Sequence, residues 1–165
     1  MCMSNRVGGY IDKLISCINP RKKKYAIFWD KRADAESEGN FTFMQHIFDH
    51  KPTLEEIKGI IIAWYNSKID CDIISGFVWN DLPVWLSIEN QFNYKAAFDA
   101  AVMSNGATLP VTFKFGTDDE PVYHQFTDME ELQDFYFKGL AYKQSVLESG
   151  WKEKDEINWD DYVID

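Results

Sequence analysis

The chain has 165 residues, of which 45% are apolar and 16% are aromatic, so it has ample material for a core and is not disordered throughout. Its net charge of −10 is uneven, because residues 1–32 carry a net +6 and the remainder carries −16. An acidic body repels nucleic-acid backbones, which excludes a general nucleic-acid binder and leaves only the basic segment Arg21 to Lys24 for a phosphate contact.

The first 24 residues are expected to form a peripheral basic segment. Tyr10, Leu14, Ile15 and Ile18 have the spacing of one face of a short helix, which Pro20 would end. The apolar run before Cys17 is broken by Asp12 and Lys13, which argues against a signal peptide. No stretch reaches transmembrane length.

The three cysteines, Cys2, Cys17 and Cys71, are odd in number and lack the spacing of a metal site. We expect free thiols in a protein that is made in a reducing cytoplasm.

A first pair of strands is predicted next. Residues 24–30 alternate, with Tyr25, Ile27 and Trp29 on one side, and residues 41–48 alternate again after a polar loop over residues 31–40. Thr53 to Glu56 has the pattern of a capping box, and an apolar stripe at helical spacing follows to about residue 66.

The same order of elements occurs twice more. Residues 77–79 and 84–86 flank the turn-forming residues 80–83, and Ser87 begins a helix that reaches about Met103. Residues 111–115 and 122–126 flank a second polar turn, and a capping box over residues 127–130 begins a helix that Gly150 is expected to end.

This pattern predicts an α+β fold of three hairpin-then-helix units, in which helices cover antiparallel sheet. Residues 25–150 are expected to form a single domain. Residues 151–165 form an acidic, aromatic C-terminal tail that either folds back on the body or contacts a neighbour.

Four stretches of the sequence resemble a known group of proteins. They are GFVW at residues 76–79, VWLSIENQFNYKAA at 84–97, LPVTFKFGT at 109–117 and GWKEKD at 150–155. Over about residues 51–160 the chain resembles small tail- or virion-associated proteins from phages and prophages of Bacteroidales, crAss-like phages included. The resemblance implies a virion component or assembly factor whose partners are other phage structural proteins or copies of itself, and it brings no catalytic residues.

Catalytic and metal-binding patterns are weak. His46 and His50 are four residues apart, but the residues before His46 alternate like a strand, so a surface pair is favoured over a metal site. His124 lies opposite an acidic turn, and Cys71 stands between two aspartates that disfavour its thiolate. We expect no enzyme activity, cofactor or metal; a metal held by His46 and His50 would instead support a hydrolase or another metal-dependent enzyme.

Aromatic and amide side chains are the remaining candidates for a function. Large aromatic residues are common anchors of protein interfaces, and uncharged amides supply hydrogen bonds. The residues expected to bind a partner are Trp79, Trp85, Asn90, Gln91, Asn93, Tyr94, Trp151, Trp159 and Tyr162. For Asn90 and Gln91 a purely structural role in the helix cap is favoured, and at least one of Trp79 and Trp85 is expected in the core.

Two functions therefore remain open. The first is a non-enzymatic structural or assembly component of a phage that acts by docking. The second is an acidic, phage-encoded regulator or inhibitor that binds a host protein.

Overall fold

The computed structural model describes residues 5–34 and 40–163, and within these ranges it contains eight strands, three α-helices and one 3-10 helix. All strand pairs are antiparallel, which confirms the predicted α+β class. The chain divides into two compact units. We call residues Asn66–Glu153 the hairpin unit, and we call the sequence on either side of them the sheet unit.

The sheet unit is built on a four-stranded sheet of order β1-β4-β3-β2. Its strands are β1 (Asn5–Gly8), β2 (Ile15–Asn19), β3 (Lys24–Ala33) and β4 (Phe41–Phe48). The predicted pairing of β3 with β4 is confirmed, with Tyr25 opposite Phe48 and Trp29 opposite Met44. Strand β3 continues three residues into the expected loop, and residues 35–39 of that loop lie outside the described ranges.

Side chains of β3 alternate between two clusters, as a strand with both faces covered requires. Ile27 and Trp29 pack with the first turns of helix α1 (Leu54–Ser75) and with Tyr162, which lies in the 3-10 helix Trp159–Tyr162. Ala26 and Phe28 pack on the other side with Phe43. Residues 157–162 of the C-terminal tail therefore fold onto the body of the sheet unit.

The expectation of a short helix over residues 10–18 is wrong. Residues Ile15–Asn19 instead form β2, which pairs with β3 and buries Ile15. Strands β1 and β2 both come from the segment expected to be peripheral, and they are the outer strands of the sheet. The pairing partner β3 decides the structure here, because the nine residues 10–18 are too few for a helix to be stable alone.

The hairpin unit contains the rest of α1 and two hairpins, each followed by a helix. The elements are β5 (Phe77–Trp79), β6 (Leu82–Val84), α2 (Ile88–Met103), β7 (Val111–Gly116), β8 (Pro121–Phe126) and α3 (Met129–Asp155). The turn between β5 and β6 has two residues rather than the expected four. Asn80 and Asp81 both have positive φ, as a tight hairpin turn requires.

Aromatic rings fill the core of the hairpin unit. Trp79, Phe115, Phe126 and Phe135 are buried together, and the Trp79 ring centroid lies 5.3–6.0 Å from the other three. The Trp79 indole N–H donates to the Asp134 carboxylate at 3.1 Å, so its polar atom is satisfied at the edge of this core.

Three helix boundaries differ from those predicted. Asp128, and not Thr127, caps α3, because its carboxylate accepts a hydrogen bond from the Glu131 amide at 2.9 Å. Gly150 does not end α3, which continues to Asp155. Gly150 is buried against Ile69 of α1, so it serves the close approach of two helices. Helix α1 likewise continues nine residues beyond its predicted end.

None of the helices in the described ranges has the length and apolar content needed to cross a membrane.

Candidate functional site

The segment between β6 and α2 is fixed by three hydrogen bonds. The Leu86 amide donates to the Ile74 carbonyl at 2.8 Å. The Asn90 side-chain amide donates to the Trp85 carbonyl at 2.8 Å, and the Gln91 side-chain amide donates to the Leu86 carbonyl at 2.6 Å. The backbone of Trp85 is thus held in place while its indole remains 56% exposed.

Helix α2 begins where the sequence predicts it. The Ser87 hydroxyl accepts a hydrogen bond from the Asn90 amide at 3.2 Å. This side-chain cap satisfies one of the amides that the first turn of a helix leaves unpaired. Asn90 therefore contributes both its backbone and its side chain to the junction, which agrees with the structural role favoured from the sequence.

A cleft of about 660 Å³ lies beside this junction, between β6, the start of α2 and β7. We call it the edge cleft. Residues 83–85 of one hairpin and residues 112–118 of the other line it, together with Ser75, Asn90, Asn93 and Tyr94. Trp85, Asn93 and Thr112 are exposed there, whereas Tyr94 is buried.

The cleft runs along strand edges rather than over a sheet face. Neighbouring side chains of a strand point to opposite faces, so a cleft lined by every residue of a run must lie against the edge of that strand. Cα atoms of β6 and β7 come within 8 Å of each other, yet the two hairpins are separate sheets. Among the described residues, no other strand pairs with the outer edge of β7.

The charge at this cleft is low for so acidic a chain. Its charged lining residues are Lys114 and Asp118, and their side chains form an ion pair with a 3.3 Å separation. Burial raises the pKa of Tyr94 to about 12, so its hydroxyl is neutral at physiological pH. The site therefore offers hydrogen-bonding groups and an indole surface, with little net charge.

The structure brings together four of the residues expected to bind a partner, namely Trp85, Asn90, Asn93 and Tyr94. Of these, Trp85 and Asn93 are exposed, and the described structure shows no hydrogen bond from the Asn93 side chain. Gln91 supports the α2 junction instead.

Other expected partner residues lie in the cores or elsewhere. Trp79 is buried in the core of the hairpin unit, and Tyr162 is buried in the sheet unit, where its hydroxyl donates to the Phe28 carbonyl at 2.9 Å. Burial assigns both residues, like Tyr94, to packing rather than to a partner surface. Trp159 is half-buried beside Tyr162, and Trp151 is 47% exposed on α3.

Aromatic and carboxylate groups surround the two histidines that the sequence offers as metal ligands. The Phe48 ring packs against both His46 and His50, with centroid separations of 4.6 and 5.7 Å. His50 pairs with Glu56 at 3.0 Å. Burial lowers the pKa of His46, and its Nδ1 atom is buried without a hydrogen-bond partner. No group of three or more potential ligands is arranged for a metal within residues 5–34 and 40–163.

His124, Cys71 and the basic turn also have ordinary surroundings. His124 pairs with the Glu131 carboxylate at 2.9 Å. It does not pair with the acidic turn of residues 118–120, which the sequence places opposite it. Cys17 and Cys71 are free and exposed, whereas Cys2 lies outside the described ranges. Arg21 to Lys23 form the exposed turn between β2 and β3, and Lys24 pairs with Asp49 at 3.2 Å.

Sequence reasoning missed the β7 side of the cleft. Thr112 and Lys114 belong to a strand that the sequence predicts, and Gly116, expected in the turn, ends that strand, but no local pattern indicates which edge of a two-stranded hairpin stays unpaired. Pro83 was a usable signal, because proline in a strand indicates an edge.

Comparison of the chain with protein-family models, with curated proteins and with solved structures gives no match.

Proposed function

We propose that the protein is a non-enzymatic docking component of a phage particle or of its assembly apparatus, and that the edge cleft holds an extended segment of its partner. The observation that carries this proposal is the unpaired edge of β7 beside an exposed tryptophan whose backbone is fixed. An unpaired strand edge presents N–H and C=O groups that an incoming strand can pair with.

Strand β7 is the better pairing edge of the two that border the cleft. It has six residues, whereas β6 has three. Pro83 lies in the middle of β6 and has no amide proton, so β6 offers one donor fewer. These features also protect the cleft against indiscriminate pairing, because short strands, proline and lysine are common devices at sheet edges.

Trp85 is the expected anchor of the interface. Tryptophan is enriched among the residues that contribute most to binding, and its large ring loses little conformational freedom when it is buried. The hydrogen bonds at the α2 junction hold its backbone before any partner arrives. Such preorganisation reduces the entropic cost of association.

The resemblance of residues 51–160 to tail- and virion-associated phage proteins supports a phage structural protein as the partner, with the protein itself located in the virion. The ion pair between Lys114 and Asp118 leaves the cleft without net charge. We therefore expect the bound segment to be uncharged where it lies against β7, with an apolar side chain that covers the Trp85 indole.

The test is site-specific photo-crosslinking during co-expression with the products of genes that flank the coding sequence. A photoreactive phenylalanine analogue replaces Trp85 in one variant and Tyr123 in the control. Tyr123 is 71% exposed on β8, which contributes no residue to the cleft. We expect one flanking product to crosslink from position 85 and not from position 123.

The affinity for that product is then measured with W85A and Y123A. Loss of an interface anchor costs about 2 kcal/mol or more, so W85A should weaken binding about 30-fold or more while Y123A leaves it unchanged. If no flanking product crosslinks from position 85, the phage-assembly role is refuted. A product that crosslinks equally from both positions and tolerates W85A refutes the edge cleft as its site.

A further inference from the structure

A second hollow lies between α2 and α3, on the other side of α2 from the edge cleft. A binding role for it is separate from the docking function proposed above. The hollow has a volume of about 250 Å³. We call it the α2–α3 hollow. Six apolar or aromatic side chains form most of its wall: Leu86, Phe92, Tyr94, Phe135, Tyr136 and Leu140. Trp85 does not line it.

The walls are formed by the two helices of the hairpin unit. Tyr136 stacks on Phe98 at 4.3 Å with nearly parallel rings, and Tyr94 packs edge-on against Phe135 at 5.1 Å. These contacts fix both aromatic walls. Phe92 and Leu140 are 71% and 46% exposed, so they form the open rim.

The polar lining of the hollow carries only positive charge. Besides the apolar side chains and Gly139, it consists of Gln91, Lys95 and Lys143, with no carboxylate among them. This is unusual for a chain whose net charge is −10. Lys95 has its own counter-ion, because its ammonium lies 2.6 Å from the Asp99 carboxylate.

Lys143 differs from Lys95. Its ammonium donates to the Gln91 side-chain oxygen at 2.7 Å, and the described structure places no carboxylate oxygen within 4.0 Å of it. The other end of Gln91 is held by the Leu86 carbonyl, so this amide positions the ammonium at the wall of the hollow. Lys143 is half-buried. Its ammonium has three N–H donors, and the neutral Gln91 oxygen satisfies one of them.

We propose that the α2–α3 hollow binds a small apolar carboxylate, with one aromatic ring or a short acyl chain against the aromatic wall and the carboxylate on Lys143. The charge of Lys143 lacks a counter-ion within the described chain, and a carboxylate supplies it through a charge-assisted hydrogen bond. Pockets for drug-sized ligands run from about 300 to 1,000 Å³, so a hollow of this size takes a smaller molecule.

The test measures binding of three probes that share one apolar body: 4-phenylbutyrate, 4-phenylbutan-1-ol and 4-phenylbutylamine. Titration calorimetry gives the affinities, and NMR shifts of the Leu140 methyl groups locate the bound molecule. Because a hydrogen bond to a charged group is worth about 1.5–3 kcal/mol, we expect the acid to bind about tenfold or more tightly than the alcohol. The amine should bind more weakly still.

Three variants separate the role of Lys143 from a general effect of charge. K143Q should reduce the affinity for phenylbutyrate about tenfold or more and leave the affinity for the alcohol unchanged. K143R keeps the charge and should retain most of the binding. K138Q removes an exposed lysine of the same helix, which pairs with Asp134 and does not line the hollow, and should change nothing.

Equal affinities for the acid and the alcohol would overturn the proposal, as would equal losses in K143Q and K138Q. Failure of all three probes to shift the Leu140 methyl signals of the folded protein would overturn it as well. None of these results bears on crosslinking from position 85, so the two proposals can fail independently.

Discussion

Replacing Gly150 with alanine should destabilise the protein, although the same change inside a helix is ordinarily favourable. Alanine is about 1 kcal/mol better than glycine in a helix interior. At position 150, however, the added Cβ would clash with both Cγ1 and Cδ1 of Ile69. Ile69 is 6% exposed in the core of the hairpin unit, so its side chain has little room to move away.

The magnitude follows from these two opposing effects. Overpacking of a well-packed core costs about 1–3 kcal/mol. Two close contacts with a buried side chain place G150A in the upper part of this range. After the gain in helix propensity is subtracted, we expect a net loss of about 1–2 kcal/mol. For a chain of this length, each kcal/mol lowers the melting temperature by about 2–4 °C.

Gly139 on the same helix provides the matched control. A Cβ there would meet the Phe77 ring at 3.5 Å, an ordinary van der Waals contact. G139A should therefore gain up to about 1 kcal/mol. The assay is urea and thermal unfolding followed by far-UV circular dichroism and tryptophan fluorescence.

A double variant identifies the contact responsible. I69A removes both crowded atoms and should by itself cost about 2–5 kcal/mol. In the I69A background the G150A change should turn from destabilising to stabilising. If G150A gains stability in the wild-type background as G139A does, then α1 and α3 do not approach closely at this position and the reasoning is refuted.

Four further predictions concern pH, the α2 junction and oligomeric state. Hydrogen bonds hold the pKa of Glu56 below its usual value, and the bond from the Thr53 backbone amide has the largest effect. The stability that results is fully present above the pKa of Glu56 in the unfolded state, and it is lost as the pH falls through the lower pKa of the folded state. Urea unfolding midpoints should therefore fall more steeply in wild type than in E56Q between roughly pH 5 and pH 3. Burial lowers the pKa of His46, so the unfolded state takes up the proton more readily; stability should decrease as the pH drops from about 7 to about 5, and an equal decrease in H46Q would contradict this. N90A should lose about 0.5–1.5 kcal/mol of stability because it removes a hydrogen bond to the hairpin, whereas N93A should unfold as wild type does and weaken only docking. Light scattering across a range of concentrations should give the mass of one chain, 19.3 kDa, and a stable oligomer would contradict this expectation.

Elements whose signals are local could be predicted well from the sequence. The capping box at Thr53 forms as expected, since the Thr53 hydroxyl accepts from the Glu56 amide at 3.3 Å and the Glu56 carboxylate accepts from the Thr53 amide at 2.8 Å. The cap at Ser87 and the alternation in β3 are also present. Each signal depends on residues within four positions of one another, so no tertiary contact is needed to interpret it.

Predictions from local patterns are wrong where contacts with distant residues decide the structure. Gly150 has the usual preference of glycine for a helix end, but its contact with Ile69, 81 positions earlier, gives it another role. Ile15 and Ile18 have helical spacing with Tyr10, yet pairing with β3 makes this segment a strand. In both cases a tertiary contact overrides a weak local preference, and the sequence does not show which segments meet.

The same limit explains why only part of the candidate sites could be predicted. Trp79 and Trp85 are six residues apart on one hairpin, and alternation indicates that one of them is buried, yet only the packing of Phe115, Phe126 and Phe135 decides that it is Trp79. Gln91 and Lys143 are 52 residues apart, so their hydrogen bond has no local signal. What the sequence does indicate is the start of α2, where the amide side chains cluster. Because the first turns of α2 separate the edge cleft from the α2–α3 hollow, residues selected there to hold the helix also position Trp85 and Lys143 for their partners.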